Sequence, residues 1–351
     1  VDFHDLLDCW DKEKVTGKAV LATIVKVQGH AYRKLGASML LFEDGGRAGG
    51  ISPGCLEADL EERVAAVLAE GRTQYVEYDM RNPDDFAWGE AIGCGGSIHV
   101  LMEPVNERLD RVLSGIKAEL DRGQGCLLSR VWDADGLVSY TIEQAEKQGL
   151  QGIAGRRSLQ IYCEPRPRLI IFGAGTDAQP LAAMAKQAGF NVIVADWREK
   201  LCCSGKFPDA CDTRVGTPAE LVEGLRINGA DYVVIMSHQM ERDRQLLDLL
   251  WPLAPRYAGL LGSKTRAAQL LNDRMPPAWL RFPVGLPIGA EGPVEIAISV
   301  VAELIAVKRS KMELNRGGGA HGHQGNRHLL GGWSKPAYAA AKALYPAWQK
   351  R

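Results

Sequence analysis

Residues 168–196 read RLIIFGAGTDAQPLAAMAKQAGFNVIVAD. Leu169–Phe172 form a continuous apolar run that stops at Gly173, which suits a strand buried on both faces. The pattern G-x-G-x-x-A follows, with Gly173, Gly175 and Ala178 in its fixed places. Apolar residues at helical spacing come next, then a second apolar run that closes on Asp196, 21 residues beyond Gly175. Each part has a physical task in a dinucleotide-type loop. Gly173 permits the tight turn, Gly175 lets phosphate oxygens reach the backbone, and Ala178 lets the helix pack closely on its strand. The helix N-terminus favours an anion, and Asp196 would accept from ribose hydroxyls. The same glycines also serve a Rossmann domain kept only as scaffold, because fold does not fix function.

Outward from this segment the alternation continues. PAELVEGL, ERDRQLLDLLW and KTRAAQLLNDR have helical spacing, while DYVVIMS and YAGLLGS are apolar strands. Such alternation specifies a parallel, doubly wound sheet. GPVEIAISVVAELIAVKRSKMEL is a long closing helix with Pro293 in its first turn. His238, just after the DYVVIMS strand, falls at the carboxyl edge of the sheet, where ligands bind. It is a candidate for proton transfer, for phosphate contact or for a structural part. Ser263, in the Gly262–Arg266 turn GSKTR, either grips an anion or caps the following helix.

Residues 1–163 have another texture. An opening helix over Phe3–Lys14, a strand AVLATIVKVQG and a hairpin turning at Asp44-Gly45-Gly46 come first. A helix after Cys55 ends at Gly71, and a strand TQYVEYDM leads to a second glycine-rich turn, GCGGS. A further strand, a helix over Asn106–Arg122 and strands over Gly125–Asp133 and Gly136–Glu143 complete the half. The expected fold is α/β: a C-terminal Rossmann-like doubly wound parallel sheet plus a smaller N-terminal α/β domain with a mixed sheet. The polar stretch 144–165 and the prolines of CEPRPR separate the two. This sets domains at 1–163 and 164–312, with a Gly/His-rich mobile tail over 313–351.

The chain has 351 residues, enough for two cores, and a formal net charge of -1. That balance gives no electrostatic footprint for nucleic acid or an acidic membrane. No apolar run reaches the ~20 residues that span a bilayer, and the N-terminus lacks the apolar core of a secretory signal, so a cytoplasmic setting is expected. There are eight cysteines. Cys202, Cys203 and Cys211 have no second ligand set at zinc spacing and read as small packing side chains. Cys55 and Cys94 differ, because each sits on a glycine-bearing turn, in PGCLE and GCGGS. Cys55 also precedes a helix, whose N-terminus stabilises a thiolate. One reading is a pair of accessible thiols that pass sulfur or touch a soft metal. The other is two turns that happen to contain cysteine, and spacing alone leaves the two level.

The linked segments GASMLLFEDGGRAGGISPGCLE, IGCGGSIHVLMEP, IIFGAGTDAQPLAAMAKQAGFNVIVADWREK, KFPDA, MSHQMERD, YAGLLGSKTR and VGLPIGAEGPVEIAISVVAELIA tip that balance. In this order they resemble the XdhC/CoxI family, the xanthine dehydrogenase accessory factors, from about Leu7 to Lys308. The family's cysteine loop is usually G-G-C-L-E, and here it is Pro53-Gly54-Cys55-Leu56-Glu57. Gly292 stands where the family usually has threonine. The resemblance implies a chaperone, not an enzyme, that binds molybdenum cofactor and supports its sulfuration with a cysteine desulfurase. It then delivers the cofactor to an apo molybdenum hydroxylase. By that resemblance Cys55 and Cys94 handle the metal or its sulfur. Gly173, Gly175, Asp196, His238 and Ser263 face the phosphate or nucleotide end of molybdopterin, or of its cytosine dinucleotide form. The competing expectation is an NAD(P)-dependent oxidoreductase with His238 as its proton-transfer group. The long apolar closing helix suits a homodimer.

Overall fold

The structure, a computed structural model, describes residues 3–14, 18–54, 56–80, 96–133, 135–144, 157–272 and 274–314. Cys55, Cys94, Trp88 and the tail after residue 314 lie outside the described residues. The chain divides into two compact units, Val1–Arg166 and Pro167–Arg351.

The first unit runs α1 (Phe3–Glu13), β1 (Ala19–Gln28), β2 (Ser38–Phe42), β3 (Arg47–Gly49), α2 (Glu57–Glu70), β4 (Gln74–Asp79), β5 (Ser97–Pro104), α3 (Glu107–Asp121), β6 (Cys126–Trp132), β7 (Val138–Gln144) and β8 (Arg157–Cys163). It holds a five-stranded sheet in the order β3-β2-β1-β5-β4 and a three-stranded sheet in the order β7-β6-β8. Both are antiparallel throughout, where a mixed sheet was expected. The reason lies in the connections. β1, β2 and β3 follow one another through turns, and neither α2 nor α3 joins two adjacent strands of one sheet, so no parallel crossover arises. β1 is buried on both faces. Val20, Ala22 and Ile24 pack on Leu60, Val64 and Val67 of α2. Ala19 and Leu21 meet Leu6 and Trp10 of α1 and Leu109 and Leu113 of α3. β8 falls in the stretch assigned to the linker. Its residues Leu159 and Cys163 are buried while Arg157 is exposed, so a half-exposed strand hides in a polar stretch.

The second unit runs β9 (Arg168–Phe172), α4 (Ala178–Gln187), β10 (Asn191–Asp196), β11 (Asp212–Val215), α5 (Pro218–Gly224), β12 (Tyr232–Ile235), α6 (Met240–Leu250), β13 (Tyr257–Leu260), α7 (Lys264–Leu271), β14 (Leu280–Arg281) and α8 (Gly292–Leu314). Its six strands lie in the order β11-β10-β9-β12-β13-β14, and every pairing is parallel. The continuous apolar runs are explained by burial on both faces. Leu169, Ile171, Val192 and Val194 pack under α4 and α8. The alternate residues Ile170, Phe172, Ile193 and Ala195 pack under α5, α6 and α7. Two edge strands, β11 and β14, were not expected from the sequence. Among the described residues no helix is long and apolar enough to cross a membrane.

The strand order reverses between β9 and β12. In an open parallel sheet the crevice outside the carboxyl ends of two such strands is where ligands bind. The turns that leave β9 and β12 carry Gly173–Asp177 and Ser237–Gln239.

Candidate functional site

The β9–α4 turn is built by exclusion. Gly173 has φ +119, and a Cβ on it would lie 2.5 Å from the Met236 carbonyl oxygen, so only glycine fits. Its amide donates to Ala195 O at 2.9 Å, which ties the turn to β10. At Gly175 the place of a Cβ is filled by a side chain instead, with Asp177 Oδ1 2.5 Å from it. Asp177 stands at the N-cap of α4 yet makes no side-chain cap hydrogen bond. Its carboxylate turns back over the glycine turn, and Oδ2 lies 2.8 Å from His238 Nε2.

Asp196 is wholly buried, and its two oxygens already take four donors. Oδ2 accepts from the Ala174 amide at 2.7 Å and from Arg198 Nη2 at 2.7 Å. Oδ1 accepts from the Arg198 amide at 2.8 Å and Nε at 2.9 Å. Burial works against the charged carboxylate, but the Arg198 guanidinium and the two amides override it and hold the group below its ordinary value. Acceptors expected to meet ribose hydroxyls are thus engaged by the protein's own groups. What the end of β10 presents outward is cationic and aromatic. The guanidinium carbons of Arg198 and Arg242 lie 4.6 and 5.0 Å from the Trp197 ring centre.

His238 has φ +63, a conformation costly to a residue with a Cβ. Its neighbours hold it there. Ser237 Oγ donates to the buried Asp243 carboxylate and accepts from the Gln239 amide at 3.2 Å. Arg266 Nη2 donates to the other Asp243 oxygen at 2.6 Å. The His238 side chain itself is 62% exposed. Beside Asp177 a small apolar crevice opens, lined by Leu181, Val234, Met236, Leu261, Ile296 and Ala297. Ser263 caps α7, accepting from the Arg266 amide at 3.2 Å.

In the first unit the residues around Cys55 form a tight clasp. Glu57 Oε1 accepts from the amides of Ile51 at 3.0 Å and Ser52 at 2.7 Å, and its other oxygen accepts from Ser52 Oγ. Ser52 Oγ in turn accepts from the amides of Gly54 and Leu56, both at 3.1 Å, on either side of Cys55. Burial raises the Glu57 carboxyl, yet these hydrogen bonds outweigh it and the net direction is down. A crevice beside the clasp is lined by Tyr32, Ser52, Pro53, Leu56, Met80 and Ile98. Met80 and Gly96 are the described residues next to the segment 81–95 that contains Cys94. Gly96 is pressed on the chain at Gln28–His30, and a Cβ there would lie 2.3 Å from His30 O. The crevice is thus lined by Ser52, Pro53 and Leu56 from the clasp together with Met80, just after β4, and Ile98 of β5.

Elsewhere, Cys202 is buried with its sulfur 3.4 Å from Val194 O and 3.3 Å from Arg214 O. Burial pushes its thiol up to about 11. Among the described residues no group of three or more His, Cys, Asp or Glu side chains is placed to hold a metal ion.

Two family models match the chain. The XdhC Rossmann domain covers residues 169–304, and the XdhC and CoxI family covers residues 15–79. Over 325 residues the chain is 37% identical to a Bacillus subtilis protein whose name makes it a probable xanthine dehydrogenase subunit; the match covers 88% of this chain and 98% of that one. The chain belongs to the XdhC/CoxI family. A more distant relative is the Escherichia coli protein named molybdenum cofactor insertion chaperone PaoD. It is 26% identical over 308 residues, 85% of this chain and 86% of that one. A crystal structure described as a xanthine dehydrogenase from Bacillus halodurans aligns with a TM-score of 0.81 at 37% identity, covering 89% of this chain and 97% of that chain. Within this XdhC/CoxI chain, the region matched at 15–79 contains Cys55 and its Glu57 clasp, and the region matched at 169–304 contains Gly173, Gly175, Asp196, His238 and Ser263.

Sequence reasoning singled out the glycines, Asp196 and His238 but passed over Asp177, Arg198, Arg242, Asp243, Ser52 and Glu57. For Asp177 a signal was present. Position 180, three residues into α4, is proline, which has no amide to offer an N-cap carboxylate.

Proposed function

We propose that this chain is a molybdenum cofactor chaperone. It takes up the cofactor, supports its sulfuration, and hands it to an apo molybdenum hydroxylase of the xanthine dehydrogenase type. The observation that carries this reading is the near full-length relationship to a protein named as a molybdenum cofactor insertion chaperone. The cofactor is cargo. Its soft, oxygen-sensitive metal centre suits the thiols of Cys55 and Cys94, with the Ser52–Glu57 clasp fixing the backbone on both sides of Cys55. Its phosphate end suits the β9–α4 turn with Gly173 and Gly175, beside His238 and the cationic edge of Arg198 and Arg242. Asp196 then serves the cargo indirectly, by orienting Arg198, and Ser263 by starting α7 beside the crevice. A phosphate on the pterin side chain is common to both forms, terminal in the nucleotide-free one and part of a diphosphate in the cytosine dinucleotide, so the turn serves either. A cysteine desulfurase would supply the sulfur, the setting would be the cytoplasm, and the chaperone would work as a homodimer.

An oxidoreductase using NAD(P) draws less support. The Asp196 carboxylate is saturated by Arg198 and two amides, and His238 is paired with Asp177. The test is direct. Purified protein is incubated with molybdenum cofactor, freed of unbound material by gel filtration, and assayed for retained metal as wild type, Cys55→Ala and Cys94→Ala. Retention by the wild type and its loss in the cysteine variants is expected. Wild-type protein that elutes without molybdenum overturns the reading.

A further inference from the structure

We propose that the Asp177 carboxylate is an internal stand-in for the ligand's phosphate, and that loading and release proceed by exchange between the two anions at the Gly175 turn. This deepens the function proposed above and rests on its assignment of the β9–α4 turn to a phosphate.

Three independent features of the chain lead there. First, Asp177 occupies the position where an aspartate ordinarily caps a helix, and it does not cap. Proline at position 180 removes the amide that the third residue of a helix ordinarily offers such a carboxylate. Second, the carboxylate lies over the bare backbone of Gly175, 2.5 Å from where a Cβ of that residue would be. A bare backbone at that position is what lets phosphate oxygens approach in a loop of this kind. A carboxylate of the protein itself therefore already covers that glycine. Third, the carboxylate is drawn to that seat by His238, with Nε2 2.8 Å from Oδ2. His238 is the fixed partner of the two. The turn that bears it is tied through Ser237 and Asp243 to Arg266 on α7, and its backbone is held at φ +63.

A phosphate and a carboxylate cannot share this seat, since like charges at contact distance repel. An incoming phosphate must move Asp177 aside. The same His238 nitrogen that faces the carboxylate then faces the phosphate. Arg198 and Arg242, beside Trp197 at the end of β10, supply positive charge that remains in place through the exchange. One anion replaces another, so the net gain in electrostatic energy is small. Weak binding follows from the construction of the site, and it suits a carrier that must let its cargo go.

The experiment uses the intact chain and two probes, inorganic pyrophosphate and cytidine diphosphate, titrated calorimetrically into wild type and Asp177→Asn. Asparagine keeps the shape of the side chain and a hydrogen-bonding group toward His238, and removes the competing charge. The expected result is binding of pyrophosphate about tenfold tighter to the variant than to the wild type. In parallel, the His238 ring nitrogen resonance of the wild type is followed during the same titration. It is expected to move in step with occupancy, a readout that does not depend on any variant folding. Equal or weaker binding by Asp177→Asn, or a His238 resonance that stays put while pyrophosphate binds, overturns the exchange and leaves the phosphate seat standing. Absence of binding of either probe to either protein overturns the phosphate seat and the exchange together. Retention of molybdenum cofactor by the same preparations, measured separately, still judges the chaperone function by itself.

Discussion

Gly173 and Gly175 stand two residues apart and answer differently to a methyl group. At Gly173 an added Cβ meets the Met236 carbonyl oxygen and carbon at 2.5 and 2.6 Å, and φ is +119. Neither the Met236 backbone just after β12 nor the angle can yield, so Gly173→Ala is expected to cost about 3 kcal/mol or more in urea unfolding. At Gly175 the obstacle is the end of the Asp177 side chain, which can swing away. Gly175→Ala is expected to cost under about 1 kcal/mol while changing phosphate binding. Asp196 makes a second residue-scale prediction. Its folded value lies below the ordinary 3.8, so its clasp on Arg198 is fully stabilising above that value and fades as pH falls through the lower, folded one. Unfolding midpoints measured between about pH 5 and pH 2 should fall for the wild type and follow a flatter course in Asp196→Asn. A G-x-G-x-x-A pattern made the turn readable from the sequence. The conformation of His238 was not readable, because its turn is held by contacts of Ser237 and Arg266 with Asp243, and Arg266 comes from a different helix 23 residues on.

The clasp before α2 belongs to the scale of a single element. A helix whose N-cap is leucine has no side-chain oxygen to satisfy its first amides. The turn before it is held by Glu57, which reaches back to the amides of Ile51 and Ser52, and by Ser52 Oγ, which reaches forward to those of Gly54 and Leu56. Glu57→Gln is expected to speed hydrogen exchange at the Ile51 and Ser52 amides about tenfold or more, with the strands of the sheet unaffected. Ser263→Ala removes the cap of α7 and should cost about 1 kcal/mol, read from thermal or urea unfolding. Elements with long apolar periods, such as β9, β10, α4 and α8, were legible in advance. β8, β11 and β14 were not. Val215 and Arg157 point outward, and β14 has only two residues. Edge strands take their pairing from a neighbour, so their own side chains need carry little hydrophobic signal.

Among the described residues the buried hydrophobic side chains form five clusters. Two lie on the faces of the parallel sheet and three in the first unit. Leu304→Ala, in the layer beneath α4 and α8, is expected to destabilise the second unit by about 2–5 kcal/mol. Hydrogen exchange should report that loss in β9 and β12 and leave β1 and β5 unchanged. β9 is hydrogen-bonded on both sides, to β10 and β12, and covered on both faces. Its last residue runs straight into Gly173. The seat proposed for the cargo thus grows from the strand least able to open without the whole unit opening. Any molecule that settles there raises the free energy of melting the entire Rossmann half, by about 2.7 kcal/mol at a hundred times its dissociation constant. A melting-curve screen of phosphorylated pterins and nucleotides, with no label and no partner enzyme, can therefore rank cargoes by temperature alone.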